Sequence, residues 1–272
     1  MCHVHKRWSM KGFLALSFTL MATLLSGEDH IRVQGVNPTP ESVTVAVVLS
    51  FPKMNQIVKN PVYLQARIDG FALGADSVSD RKDEIVGSDM GQTLHVVIDD
   101  MPYFAVNGPA IDPFREEGYF YDTSYKFKIP KNLSTGQHVI RAFACRSYGE
   151  SLKGERSFYV LTINVNNADH QMNVDLTKPY LTYNEPSNNL YLVDTKPVLL
   201  DFYISNCELT QDGYKVRLTV DGKMVRKLTS WQPYYIYGLR KGGHTVRLEL
   251  IDRNDKLVPG PFNDVTQQIT IH

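Results

Sequence analysis

Three cysteines in 272 residues are too few for a disulfide framework to carry the fold. One of them, Cys2, lies in the N-terminal segment; the other two, Cys145 and Cys207, fall one in each half. They could bridge the halves in an oxidising compartment, but pairing is not readable from sequence, and two buried thiols are the expectation. Charge excess is missing as well, with 29 Lys+Arg against 29 Asp+Glu and no basic block. That balance offers no electrostatic drive toward nucleic acid or an anionic membrane. After residue 27 no stretch approaches eighteen consecutive apolar residues, which excludes a membrane-spanning helix there, and no apolar period of 3.6 residues is sustained. The chain also lacks a Gly-x-Ser-x-Gly elbow, a P-loop and a dinucleotide fingerprint, and beyond the first segment it has no His-x-His, His-x-x-x-His or Cys-x-x-Cys pair. These absences do not exclude an enzyme, but they remove every positive reason to name one.

What is present begins with Lys6, Arg7 and Lys11 ahead of an apolar run from Phe13 to Leu25, with no acidic residue before Glu28. Thirteen residues make a signal-peptide core and are too short for a comfortable membrane span, so residues 1–27 are expected to direct export and to be cleaved near Ser26 or Gly27. Leu24-Leu25-Ser26-Gly27 is shaped like a lipoprotein box, but Glu28 stands where the acylated Cys would be. Without residues 1–27 the balance is 26 basic to 29 acidic, a formal charge of −3.

The remainder reads as one unit written twice. "PVYLQARI" (Pro61–Ile68) matches "PVLLDFYI" (Pro197–Ile204), and "GQTLHVVIDD" (Gly91–Asp100) matches "GYKVRLTVDG" (Gly213–Gly222). "LSTGQHVIR" (Leu133–Arg141) then matches "LRKGGHTVR" (Leu239–Arg247), and 27 residues separate both His138 from Val165 and His244 from Ile271. Inside these blocks apolar residues alternate with polar ones: Val62, Leu64, Ala66 and Ile68 in the first copy, Val198, Leu200, Phe202 and Ile204 in the second. Period two marks a half-buried strand. Asp221-Gly222 between two such runs is a type I′ hairpin signal. The expectation is an all-β chain: a signal peptide (1–27), a first sandwich (28–166), a linker (167–177) and a second sandwich (178–272). Both sandwiches are expected to be antiparallel and of immunoglobulin-like or fibronectin-like type.

The first copy carries 14 extra residues between Ile68 and Gly91 and 16 between Asp99 and Leu133. Insertions on a rigid scaffold are where binding is first sought. The second insertion holds Tyr119 and Tyr121 in an aromatic cluster with Tyr103, Phe104, Phe120 and Tyr125. Trp231, Tyr235 and Tyr237 lie in "SWQPYYIYG", where a strand would place aromatics on both faces; one face fills a core, and the other suits a domain interface, a sugar ring or a peptide side chain. Arg146, Tyr148 and Lys153, with Glu150, crowd a hairpin whose counterpart "DRNDKLVPG" lacks that pattern, which suggests an anion or peptide contact. His138 and His244 share the parity of the core and should bond a neighbouring turn, whereas Arg141 and Arg247 have the opposite parity, expected to face solvent or a cross-strand ion pair.

At "HVIRAFACRSYGESLK" and at "LLDFYISNCELTQDGYKVRLTVDG…WQPYYIYGLRKGGHTVRLELID…GPFN" the chain resembles a group of exported bacterial proteins of two tandem β-rich domains. The resemblance spans Pro61 to Ile271 and implies a bacterial, extracytoplasmic protein (periplasm, cell surface or secreted); it implies no activity. The first copy also looks like a small domain family with a run of histidines before Leu-Ile-Asp, a place that here reads Gln92-Thr93-Leu94-His95. The functional expectation is a non-catalytic binding protein for a protein or glycan partner. The alternative is a metal-handling or hydrolase-accessory protein using His95 with the insertion carboxylates Asp76, Asp80, Asp83, Glu84 and Asp89.

Overall fold

The computed structural model describes residues 31–41, 44–108, 124–168 and 174–272. In chain order, β1 (Arg32–Gly35) precedes a first unit of β2 (Ala46–Phe51), β3 (Gln56–Val58), β4 (Tyr63–Asp69), the helical turn α1 (Arg81–Glu84), β5 (Thr93–Ile98), β6 (Phe104–Val106), β7 (Ser124–Lys128), β8 (Gly136–Cys145) and β9 (Phe158–Val165). The second unit has β10 (Tyr180–Glu185), β11 (Val198–Ser205), β12 (Lys215–Val220), β13 (Lys223–Leu228), β14 (Tyr234–Tyr237), β15 (Gly242–Ile251) and β16 (Asp264–Ile271). Among the described residues no helix is long and apolar enough to cross a membrane.

The duplication is visible strand by strand. In the first unit sheet β2-β4-β7 faces sheet β3-β9-β8-β5-β6; in the second, β10-β11-β14 faces β13-β12-β15-β16. Both follow the seven-strand order of fibronectin type III-like sandwiches, and β3, which runs parallel to β9, is an addition of the first unit. Even the irregularities recur. The β2/β4 ladder shifts register between Leu49 and Phe51, and the β10/β11 ladder between Tyr183 and Glu185. The hairpin Cys145–Ser151 has the same bridge as Ile251–Leu257, with positive φ at Gly149 and at Asp255.

The repeated His and Gly hold the same corner in both copies. His138 Nδ1 meets Asp99 Oδ2 at 2.7 Å and its Nε2 lies 2.9 Å from the Ser134 carbonyl; His244 meets Asp221 Oδ2 at 2.7 Å and the Arg240 carbonyl at 2.7 Å. The two aspartates sit in turns at φ 52° and 49°, and the glycines that open the strands, Gly136 and Gly242, at 125° and 127°. A carboxylate beside each ring, and a carbonyl on its far side, raise both histidine pKa values against the opposing effect of burial. Asp221-Gly222 makes the expected turn, with φ 49° and 75° closing Val220 onto Lys223.

Each unit has its own apolar core. Leu64, Ala66, Ile68, Leu94, Val96, Ile140, Ala142 and Leu161 fill the first; Leu181, Leu200, Phe202, Val216, Leu218, Val246, Leu248 and Ile269 fill the second. The sandwiches then stack face on face. The outward face of β5, β8 and β9 (Val97, Phe143, Cys145, Phe158) packs on the outward face of β10 and β11, where Tyr203 sits among these side chains. Val139, Tyr180 and Phe262 extend the contact on one side, and Ile85, Tyr148, Leu199 and Tyr235 on the other. Every residue of β10 and all but the last of β11 are therefore buried. This corrects the half-buried reading of the Pro197–Ile204 block, because both of its faces are covered. Arg141 is corrected for the same reason. Only 2% exposed, it donates through Nη1 to the Leu181 carbonyl (3.1 Å) and Thr182 Oγ1 (3.0 Å), reaches the Asp99 carbonyl through Nη2, and lies 4.0 Å over the Phe262 ring. Arg247, its counterpart, makes the expected cross-strand pair, with Asp264.

Two segments that precede β5 reach across to the second unit. β1 falls in the range expected for the first sandwich but pairs antiparallel with β14 of the second, Arg32 opposite Tyr237 and Gly35 opposite Tyr234. The first insertion does not project: Ile85 is buried against Tyr148, Leu199 and Tyr235, Lys196 Nζ donates to the Ile85 carbonyl (3.2 Å), and Tyr235 donates its hydroxyl to Glu84 (2.6 Å). No disulfide joins the halves; Cys145 is a buried free thiol and Cys207 a half-buried one.

Candidate functional site

The densest group of polar side chains lies in the seam between the units. His95 on β5 stacks on Tyr103 with ring centroids 3.7 Å apart, and its Nδ1 lies 2.7 Å from Asn184 Oδ1 on β10. Tyr103 donates to Glu185 Oε1 at 2.5 Å and accepts from Ser187 Oγ at 3.0 Å. Asn184 Nδ2 donates to the Gly149 carbonyl and to Asp201 Oδ2, both at 2.7 Å. Asp201, fully buried, also accepts from Ser151 Oγ and from Lys153 Nζ, each at 2.5 Å. Gly149 is required here: a Cβ would stand 3.1 Å from Glu185 Cγ, at φ 84°.

Burial controls the protonation of this group. It drives the His95 imidazole down to about 4, against the Asn184 bond and the Asp201 charge. It drives the Glu185 carboxyl up to about 8, against bonds from Tyr103 and Ser187 that favour the ionised form. Both are thus neutral at pH 7. Cys145 and Tyr203 are likewise pushed up by burial, which keeps the thiol and the phenol protonated. Glu185 Oε2 and the Tyr203 hydroxyl are buried without a hydrogen-bond partner among the described residues. The void beside Glu185, His95, Tyr103 and Gly149 measures about 20 Å³, the size of one water molecule. A histidine, a carboxylic acid and a phenol are the residue types of acid–base chemistry, but there is no room for a substrate beside them. His95 meets Asn184 and Tyr103 rather than the carboxylates of the first insertion, and among the described residues no three His, Cys, Asp or Glu side chains converge as a metal site.

The residues singled out in the sequence divide between seam and surface. Tyr148 is fully buried, with its hydroxyl 2.9 Å from Thr39 Oγ1. Tyr235 is 3% exposed under the first insertion. These two rings present no face to a ligand; they fasten the units together, the interface alternative considered for the Tyr235 strand. Lys153 is tied to Asp201, Arg146 Nη2 donates to the Pro40 carbonyl (2.5 Å), and Tyr237 lies under Arg32 with 3.8 Å from guanidinium to ring centroid. Trp231 keeps 36% exposure and donates its indole N–H to the Phe202 carbonyl (2.8 Å). Tyr119 and Tyr121 lie outside the described residues. Sequence reasoning missed Asn184, Glu185 and Asp201. Asp201 was visible as a lone acid inside an apolar strand, the one signal that could have found it.

A second feature is open to solvent. Ile98, Met101, Pro102, Tyr103, Phe104, Ile129, Pro130 and Leu133, with Lys131, line a mainly apolar cleft of about 230 Å³ where the β5–β6 turn meets the end of β7. Lys126 and Lys128 are exposed along β7, which is the outer strand of its sheet.

No family model matches the chain, and no curated protein is similar to it in sequence. Solved structures offer distant likenesses. Fibronectin(III)-like modules of Clostridium thermocellum CbhA are 13% identical, with 83% of this chain and 93% of theirs covered at a TM-score of 0.28. Latent PorU of Porphyromonas gingivalis is 11% identical over 93% of this chain and 21% of its own, at a TM-score of 0.26. The Bacteroides ovatus mixed-linkage glucan utilization locus protein SGBP-B, solved with a heptasaccharide, is 15% identical over 89% of this chain and 48% of its own, at 0.17. None of these likenesses assigns a family; the strand order of the two units alone makes the chain an all-β protein of two fibronectin type III-like sandwiches.

Proposed function

We propose that the chain is a non-catalytic, extracytoplasmic interaction protein whose two sandwiches form one body and whose apolar cleft, at the end of the first unit, receives a polypeptide partner. One observation carries the reading: the acid–base residues surround about 20 Å³, whereas the apolar cleft measures about 230 Å³, and an open hollow of similar volume, about 240 Å³, is lined mainly by polar residues such as Asn188, Asp221 and Gln268. Drug-sized ligands occupy roughly 300–1,000 Å³, so the cleft suits one large apolar side chain as an anchor. Its walls carry Ile, Met, Pro, Phe and Leu, which favour such a side chain over a sugar's hydroxyl groups. Lys131 lines the cleft, and Lys128 is exposed at the end of the strand that leads into its wall at Ile129, which favours acidic residues around the anchor. The basic and apolar character of residues 1–27 supports export.

Selection of a random peptide library on the immobilised protein tests this. The expected winners carry an apolar residue among acidic ones, and they are lost with Met101→Asp and weakened by Lys131→Glu, an exposed change that leaves the core intact. Retention on a glycan array that survives Met101→Asp and disappears with Trp231→Ala would overturn the reading and restore the aromatic strand as the site.

A further inference from the structure

Residues 31–41 are shared between the sandwiches, with β1 the edge strand of the second unit's β1-β14-β11-β10 sheet. Each unit has its seven-strand set without them, yet they run from one unit to the other as an extended arm. At one end β1 adds to β14, Val33 is buried in the second core, and Ile31 packs beside it. The Val36 N–H donates to the Pro233 carbonyl (3.0 Å), and Arg226 Nη1 donates to the Val33 carbonyl (2.5 Å). At the other end the arm meets the 146–154 hairpin of the first unit. Thr39 donates its N–H to Glu150 Oε1 and its hydroxyl to Glu150 Oε2, both at 2.8 Å. The Glu41 carboxylate accepts the N–H groups of Lys153 (2.5 Å) and Gly154 (2.7 Å). Arg81 and Arg146 each donate to an arm carbonyl, those of Asn37 and Pro40.

This is how a groove reads a peptide: a strand edge supplies the ladder, and separate sockets take Val33, Thr39 and Glu41. The sockets have fixed charge. Glu150, only 2% exposed, lies 3.0 Å from Arg81 Nε and uses both oxygens on Thr39, so the groove is complementary to that side chain and to the acid two residues on. We infer that the seam between β14 and the 146–154 hairpin is an acceptor site for an extended peptide of the arm's own sequence, filled by the arm of the same chain and open to the arm of a second copy. A second copy carries identical recognition chemistry, and exchange conserves every contact, which is the condition for swapping an element between copies. The site is separate from the apolar cleft and does not rest on it.

The ladder places residue 32 opposite residue 237, and this gives the test. In a Cys2→Ser, Cys207→Ser background, the full chain with both Arg32→Cys and Tyr237→Cys should oxidise to a disulfide-closed monomer. Two separate variants, one with each cysteine, are then mixed at high concentration. The expected product is a dimer linked between position 32 of one copy and position 237 of the other, in excess over either homodimer. Excess peptide of residues 31–41 should suppress it, and the same peptide with Thr39→Ala and Glu41→Ala should not. Failure of the double variant to close, absence of the mixed dimer, or a mixed dimer indifferent to the peptide would each overturn the inference.

Discussion

Glu185 is a carboxyl group that folding keeps protonated, and this fixes the sign of its effect on stability. With its pKa near 8 in the folded chain and an ordinary carboxylate value when unfolded, it holds its proton between pH 4.5 and 8 only in the native state. Its neutral burial is therefore least costly below pH 4.5, and stability is lost as pH rises toward 8. Glu185→Gln keeps an acceptor for Tyr103 and cannot ionise. Thermal melts should show the variant near wild type at pH 4.5 and increasingly more stable up to pH 8; a constant gap would mean that the folded chain carries the charge. His95 acts in the opposite sense. Its depressed value, about 4, costs stability as pH falls from 6.5 toward 4, but it does so in wild type and variant alike and cancels in the difference between their melts. Arg141 makes a second case. It is a buried cation held by two carbonyls, a hydroxyl and an aromatic face. Arg141→Met keeps much of the volume and leaves those acceptors unanswered, with an expected loss of about 2–4 kcal/mol in urea unfolding.

Among the elements, the strand-opening glycines separate conformation from space. At Gly242 a Cβ would meet nothing within 4 Å, yet φ is 127°. Its neighbour Gly243 has equal room and no such angle. Gly242→Ala should cost about 1–3 kcal/mol in equilibrium unfolding, while Gly243→Ala should be neutral or slightly stabilising through the unfolded chain. Equal effects at the two positions would remove the conformational explanation. Strands and their inward parity were legible in the sequence because alternation is a local signal: Leu200, Phe202 and Ile204 face the second core as expected. What covers the outward parity is not local. Arg141 and Arg247 occupy the same place in two copies, and only packing of one copy on the other decides that the first is buried while the second pairs with Asp264. β1 was hidden for a related reason, since four residues, "RVQG", find their partner some two hundred positions later.

Over the whole molecule the two inner sheets are covered on both sides. The seam combines apolar contacts around Phe143, Tyr203 and Tyr235 with the Asp201 and Glu185 groups, and separating the units would expose both kinds of surface. Calorimetry should therefore record one cooperative transition. The second unit alone, residues 174–272, should be less stable and prone to associate, because it loses β1 and bares Leu199, Tyr203 and Tyr235. Two resolved transitions would indicate that the seam is weak. The duplication thus supplied interchangeable frames, and the differences between copies, such as Tyr148 and Glu150 where the other hairpin has Asn254 and Lys256, went into joining them.

The crossing of β1 to the second unit has a mechanical consequence. A pull applied at Ile31 and at His272 is first borne by the short β1–β14 ladder and the second sandwich, with the first sandwich sheltered as a slack side branch until that ladder gives way. A protein tethered by its front end would thus bear tension through its rear half.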